Sequence, residues 1–444
     1  MNNKLALGIL SLTFLSPLGI NARQWTLEQC LDYALQNNIQ LQKTRIQKQS
    51  ATEDWLQSKS ALLPSLSAST SQNVNYTPWI STGTTSDGYS RSSVDKVYYN
   101  GTYGVNANWT IWNGNRNRNQ VKLNKLTEEA AAIDSMTTAR NIQEQIAQLY
   151  VQILYTSEAV KVNQEALTSS QANESRGKQM VENGKMSKAD LAQLTAQVAQ
   201  DQYSVVQAES QVAGYKRQLK ELLQITNEEF DVVVPTTTDD MALQDIPALN
   251  TVYTSALDTR PELKSYQNAI DQSKINIEMA KAYNLPTLSA NAGVSTSTTS
   301  MNSTSWGTQL KNNFNVGAGV TLSIPILDNR TKKTAYNKAV LQQQSAMLDL
   351  KNEQTTLYSS IENYWLQATT NQNQFKAAKV STSSAKESYE LINEKFKEGL
   401  ANIVEVRTAK DKLLQSQQSE LQSKYLTILN IDMLNFYKDG TLRK

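Results

Sequence analysis

The sequence predicts a mixed α and β fold: strands that cross a membrane as a β-barrel shared among several copies of the chain, continued by a long α-helical coiled-coil barrel. Three observations predict it. Four segments alternate apolar with small polar residues at a period of two. Two stretches of about 67 residues are almost free of helix breakers, enough for rods on the order of 100 Å. Finally, the chain aligns with itself some 215–222 residues along, so both features come from a tandem repeat.

The repeat is read from paired segments. Ala34–Leu41 falls on Ala256–Leu263, and Leu63-Pro64-Ser65-Leu66 on Leu285-Pro286-Thr287-Leu288, both at an offset of 222. Trp109–Asn113 falls on Ile324–Asp328, and Gly184…Asp190 on Gly399…Glu405, both at an offset of 215. Repeat two is therefore about seven residues shorter between Pro286 and Asp328. This places repeat one at 23–230 and repeat two at 231–444, each ordered as short helices, two strands and two long helices.

Residues 1–22 precede both and read as a secretory signal peptide. Asn2-Asn3-Lys4 opens it, an apolar run from Leu5 to Ile20 follows, and Asn21-Ala22 closes it. No later stretch reaches the roughly eighteen apolar residues of a spanning helix, so any membrane residence must use strands. The chain has no histidine and a single cysteine, Cys30, which excludes histidine-based triads, histidine metal sites and intrachain disulfides. Cys30 falls on the apolar stripe Leu27, Cys30, Leu31, Ala34 of the first helix and reads as a small core residue. A formal net charge of +2, with charges interspersed, gives no basis for a nucleic-acid partner. No cofactor motif is present.

Strands are expected at about 65–77 and 98–112, then at 287–295 and 312–327, with Pro64 and Pro286 at the helix-to-strand crossings. In the second, Tyr103, Val105, Ala107, Trp109 and Ile111 alternate with Gly104, Asn106, Asn108 and Thr110; the third and fourth repeat the pattern, and the first is weaker. The polar parity carries Asn, Ser, Thr and Gly rather than Lys and Glu, which suits a barrel lumen better than a soluble sheet face. Trp79, Tyr98, Tyr99, Tyr103, Trp109, Trp112 and Trp306 crowd the strand ends, as interfacial aromatics do. The Thr77–Val97 and Ser295–Lys311 stretches are expected as outward-facing loops.

Long helices are expected at about 115–182 and 188–224, and at 330–398 and 402–437. A seam with steps of three and four runs Leu357, Ile361, Tyr364, Ala368, Asn371, Phe375, Ala378, Thr382, Ala385, Tyr389, Ile392, Phe396. Its counterpart in repeat one includes Leu194, Val198, Asp201, Val205, Ala208 and Leu219. So many small and polar seam residues would make a poor two-stranded zipper and suit a wall of helices around a wet interior.

Four strands cannot close a membrane barrel, for which about eight is the minimum, and an open edge in lipid costs several kcal/mol per unpaired backbone group. Other copies must therefore complete the sheet. Two, three or four copies would give eight, twelve or sixteen strands, and arithmetic alone does not choose.

Taken together, the tandem repeat, Arg260-Pro261-Glu262-Leu263, the crossings Pro64 and Pro286, Ile324-Pro325-Ile326-Leu327-Asp328 and the Gly399…Glu405 turn resemble the outer-membrane efflux proteins of the TolC family over essentially the whole mature length. The resemblance implies a homotrimer in the outer membrane of a Gram-negative bacterium, with twelve strands in all and a large periplasmic portion. It further implies a periplasmic adaptor and an inner-membrane transporter of the RND or ABC class as partners, and outer-membrane lipid around the barrel.

Candidate functional residues concentrate at the two helical hairpin tips. Gly184-Lys185-Met186-Ser187 and Gly399-Leu400-Ala401-Asn402 read as glycine C-caps followed by new N-caps, and they are candidate adaptor contacts. Met186 and Leu400 either meet that partner or pack inside the hairpin. Ser187 with Asp190, and Asn402 with Glu405, have capping-box spacing. Both acids have a capping reading; under three-fold symmetry Glu405 could also form a carboxylate ring selecting cations. Family members often carry a second acid one turn later, where this chain has Thr408, and a basic lock two residues after the glycine, where it has Ala401. Phe396 is a candidate apolar constriction and Asp190 a candidate gate partner. The expected function is a non-enzymatic exit duct for small molecules; the alternatives are the outer-membrane duct of a type I protein or peptide secretion system, and a structural periplasmic coiled-coil protein.

Overall fold

The computed structural model describes residues 23–78, 83–84, 91–92, 96–226, 230–235, 237–301 and 303–442. Residues 1–22, expected as a signal peptide, Trp79 and much of the Thr77–Val97 stretch lie outside them. In order the elements are β1 (Arg23–Trp25), α1 (Leu27–Asn37), α2 (Ile39–Ser60), β2 (Ser65–Tyr76), β3 (Gly83–Thr84), β4 (Arg91–Ser92), β5 (Val97–Trp112), α3 (Arg116–Glu182) and α4 (Lys188–Leu223). The second half runs β6 (Phe230–Val232), α5 (Asp239–Ala242), α6 (Leu249–Thr259), α7 (Pro261–Ala282), β7 (Thr287–Thr299), α8 (Trp306–Asn312), β8 (Asn315–Ser323), α9 (Thr331–Lys397) and α10 (Ile403–Asp439). Matching helices have nearly equal lengths: α1 and α6 have 11 residues, α2 and α7 have 22, α3 and α9 have 67, and α4 and α10 have 36 and 37. No helix among the described residues is long and apolar enough to cross a membrane.

Two compact units divide the chain, each assembled from separate segments. One gathers Gln40–Thr138 and Arg260–Tyr358. Its centre is a four-stranded antiparallel sheet in the order β2-β5-β7-β8. The register pairs Ala68 with Val105, Val105 with Val294, and Val294 with Val316, so one face collects the apolar parity of all four strands. The opposite face explains the alternation of Asn with Gly. Asn106 lies against Gly293 and Asn291 against Gly319, where an added Cβ would stand 2.6 Å and 3.1 Å from the amide oxygens. Glycine on one strand makes room for the amide of its neighbour.

Strand entry is built the same way twice. After α2, Leu62 N–H donates to Lys59 O and Leu63 N–H to Ser60 O; after α7, Asn284 N–H donates to Lys281 O and Leu285 N–H to Ala282 O. Pro64 and Pro286 then start the strands, since proline cannot continue a helix. On the way out, the strand-to-helix crossings use left-handed pairs, Gly114-Asn115 (φ 69 and 66) and Asn329-Arg330 (φ 51 and 67). At Gly114 a side chain would also stand 2.9 Å from Ala282 O.

Two sequence expectations change here. The strand expected at 312–327 is only Asn315–Ser323. Its partner β7 begins at Thr287, opposite Ser323, so later residues have no ladder to join, and Pro325 has no N–H to offer. The stretch Ser295–Lys311, expected as a loop, extends β7 to Thr299 and holds all but the last residue of α8. That helix is held by Gln309, whose side chain accepts from Thr299 N–H (2.7 Å) and donates to Thr299 O (3.0 Å) and Thr304 O (2.8 Å).

The other unit gathers Ala139–Thr259 and Ser359–Lys444 with the N-terminal segment to Ile39. Here the final turns of α10 are buried nearly all round, including Tyr425, Thr427, Ile431, Met433, Leu434 and Phe436. Along this part of α9 the seam residues Ile361, Ala368, Phe375, Ala385 and Phe396 are buried. Phe375 meets Ala242 of α5 and Ile428 of α10. The short α5 is fastened over it by polar contacts: Gln372 donates to Ala242 O (3.0 Å), and Asp239 pairs with Lys379 (2.7 Å) and Lys424 (3.0 Å). Lys379 and Lys424 hold the Asp239 carboxyl below its usual range. Burial pushes the Cys30 thiol up to about 12, so it stays an inert core group. Phe375→Ala should cost about 3–5 kcal/mol through the cavity it leaves, measurable as a lower melting point of the helical signal with the β signal unchanged.

Candidate gate at the helical tips

Each hairpin tip is closed by the same backbone device. Gly184 and Gly399 adopt φ of +68 and +75, in the region where a Cβ is strained. At the first tip Lys185 N–H reaches Met180 O (2.7 Å) and Gly184 N–H reaches Val181 O (3.0 Å). At the second, Leu400 N–H reaches Lys395 O (2.8 Å) and Gly399 N–H reaches Phe396 O (3.0 Å). Both are Schellman motifs, which satisfy terminal carbonyls of α3 and α9 and turn the chain tightly.

The next helices begin on side-chain caps. Ser187 Oγ accepts from Asp190 N–H (3.1 Å) and donates to the Asp190 carboxylate (2.7 Å). Asn402 Oδ1 accepts from Glu405 N–H (3.0 Å), and its amide donates to the Glu405 carboxylate (2.7 Å). This corrects the capping boxes read from the sequence: each acid binds the side chain of its cap rather than the backbone N–H. Both carboxylates sit where the helix dipole favours negative charge. Glu405 remains exposed, as does Thr408, whose hydroxyl donates back to Val404 O (2.8 Å).

Phe396 is a second correction. It is 2% exposed and packs with Leu194, Ile403 and Val406, with Met186, Tyr389, Ile392 and Ala401 around it. A ring enclosed by its own hairpins cannot also line an opening, so Phe396 is the core of the tip. Met186 belongs to the same core, inside the hairpin. Leu400 is the residue left outside, 78% exposed, with Val404 on the next turn at 60%. Gly184, Lys185, Ser187, Gly399 and Asn402 are exposed as well, and Ala401 is half-buried.

Sequence reading missed the polar links behind the tips. Arg176 of α3 donates to Lys397 O (3.4 Å), a terminal carbonyl of α9. Ser169 of α3 and Tyr389 of α9 share a hydrogen bond of 2.6 Å. Deeper still, Lys410 of α10 donates to both Asp201 of α4 and Ser170 of α3, all three nine-tenths or more buried. Gln197 donates to the other oxygen of Asp201 (3.0 Å). The signal was available: Asp201 stands in an otherwise apolar seam, and Lys410 continues the spacing Ile403, Val406 on α10. An acid on one seam calls for a base on the facing one. Removing one partner strands a buried charge, whereas removing both leaves an ordinary apolar contact. Lys410→Met should therefore cost about 3–5 kcal/mol, and Asp201→Leu added to it should recover most of the loss in a double-mutant cycle of thermal melts.

Known proteins resemble the chain over nearly its whole length. The family model described as outer membrane efflux protein matches residues 30–224 and 252–430. Among solved structures, CusC, described in terms of folding and transmembrane channel formation, aligns with a TM-score of 0.79 at 16% identity, covering 97% of this chain and 96% of that one. The CmeC outer membrane channel of Campylobacter jejuni aligns at 0.76 with 18% identity, covering 93% and 86%. The open state of the MtrE outer membrane channel of Neisseria gonorrhoeae aligns at 0.73 with 17% identity, covering 93% and 88%. No curated protein matches the sequence significantly. With the family model covering most of both halves, and the fold shared with these channels, the chain belongs to the outer membrane efflux protein family.

Proposed function

We propose that the protein is the outer-membrane exit duct of a tripartite efflux assembly, a homotrimer that carries small molecules outward without chemistry of its own. The observation that carries this reading is the sheet. Its four strands alternate in direction, β2 and β8 are open edges, and one face is apolar while the other is Asn, Ser, Thr and Gly. Because the strand number is even, β8 of one copy can pair antiparallel with β2 of the next, so any number of copies closes without a parallel seam. Three copies give twelve strands, within the range of known barrels.

In this reading the helices form the periplasmic part, and energy comes from an inner-membrane transporter of the RND or ABC class through a periplasmic adaptor. The exposed Leu400 and Val404, beside the Gly399 turn, are the apolar contacts offered to the adaptor, with Gly184, Lys185 and Ser187 on the other tip. Met186 and Ala401 support them from inside. Glu405 supplies one exposed carboxylate per copy, and three around an axis would favour cations at the mouth. Asp190, tied to Ser187, anchors the neighbouring hairpin.

Two measurements test this. Fractionated cells should hold the protein in the outer membrane as a trimer that dissociates only on heating in detergent; a soluble periplasmic monomer contradicts the proposal. In planar bilayers Glu405→Gln should reduce cation preference and block by divalent cations several-fold, and unchanged selectivity would remove Glu405 from the gate.

A further inference from the structure

The apolar face of the sheet changes character toward the loop end. Its middle is Leu66, Ala68, Val105, Ala107, Ala290, Ala292, Val294, Val316, Ala318 and Val320. Beyond Val105 and Val294 the same face carries Thr70, Gln72, Tyr99, Tyr103, Thr296 and Thr298, with Val74, Tyr76 and Val97 at its far end. Tyr99 hydrogen-bonds Gln72 and lies 3.3 Å from the Tyr103 hydroxyl. Such residues, apolar in body and polar at the tip, belong where hydrocarbon gives way to headgroups. At the opposite end of the face Trp109 Nε1 donates to Leu62 O (2.9 Å), a second interfacial aromatic. Tyr99 and Trp109 are separated by about 33 Å of strand, or about 25 Å across a membrane at a tilt near 40°. That is the height of a barrel's apolar band.

Helix α8 lies on this face, not over the lumen. Thr296 Oγ1 donates to Leu310 O (2.7 Å), and the Trp306 ring meets Tyr103 edge-on at 6.1 Å. Phe314, just after the helix, shares a shallow pocket with Tyr103, Val105, Val294 and Thr296. The helix rests on β7, an inner strand, so a copy closing the sheet edges does not cover it. Yet Met301, Trp306 and Phe314 stay 48%, 55% and 60% exposed, with Lys311 beside them in the last turn. We propose that α8 is an interfacial anchor: it lies in the headgroup layer of the lipid leaflet at the loop end of the barrel, with Trp306, Met301 and Phe314 set into the lipid boundary. The surface is continuous with the apolar band below it, which makes bilayer lipid its partner. This inference rests on the reading of the sheet as a membrane barrel.

Depth-resolved quenching tests it. In a Cys30→Ser background, a small fluorophore is placed on Trp306→Cys and, with Trp306 retained, on Thr308→Cys; Val316→Cys, in the row of Val294 and Val105, reports the middle of the band. Proteoliposomes of phosphatidylethanolamine and phosphatidylglycerol carry nitroxides either at the headgroup or deep in the acyl chain. At 306 and 308 the headgroup nitroxide should quench at least twofold more than the deep one, with the order reversed at 316. Quenching at 306 and 308 by aqueous iodide alone, with 316 still quenched by deep nitroxide, overturns the anchor and leaves the barrel standing. Loss of lipid quenching at all three positions overturns both.

Discussion

An unpaired backbone amide is tolerable in water and costs several kcal/mol in lipid, and this chain presents two rows of them. β2 and β8 border a sheet whose inner strands β5 and β7 are laddered on both sides over most of their length, and among the described residues neither edge strand has a partner on its outer side. Soluble proteins blunt such edges with charge, proline or a covering helix. Here β2 and β8 carry Ser, Asn, Thr, Gly, Val and Leu, with no charge and no proline inside either strand. Edges left this open are built to be paired. In the proposed barrel each copy needs others to pair these edges.

In the proposed assembly, a wall of helices shared among copies would face a compromise of its own. Purely apolar seams would collapse into a compact bundle, while purely polar ones would not hold. The seams of α4 and α9 answer by mixing large residues such as Phe375 and Leu219 with Ala, Thr and Asn, and by burying one charge pair. The Asp201–Lys410 contact ties α4 to α10, and Ser170 brings in α3, so both hairpins are registered to each other behind the tips. Such a contact contributes little net stability but strongly disfavours alternative registers, because sliding any of the three helices leaves a buried charge unpaired. Beyond that point each tip is held by a compact apolar core around Phe396 and by caps worth about 1 kcal/mol each.

Period two and the absence of breakers made the fold class legible, since both are properties of residue type alone. The tip turns were legible for the same reason: Gly184 and Gly399 announce a left-handed residue, and Ser187 and Asn402 a cap. What stayed hidden depended on partners distant in sequence. Phe396 sits three residues before a glycine whether it faces a pore or a core, and only Leu194, Ile403 and Val406 decide which. Helix α8 arises in a stretch of Ser, Thr and Asn that reads as loop, because its own Gln309 is tied to the backbone of Thr299 on β7, which local propensity does not reveal. Arg330 adopts a left-handed conformation that no residue type signals; its counterpart Asn115 follows a glycine, and Arg330 does not.

Closure of the sheet by other copies is the claim on which the rest depends, and amide hydrogen exchange of the detergent-solubilised assembly tests it directly. Closure predicts that the outward-pointing amides of β2 and β8 are protected as strongly as those of β5 and β7. Fast exchange along both edges, with β5 and β7 protected, would mean that the edges are open and that the chain does not form a barrel.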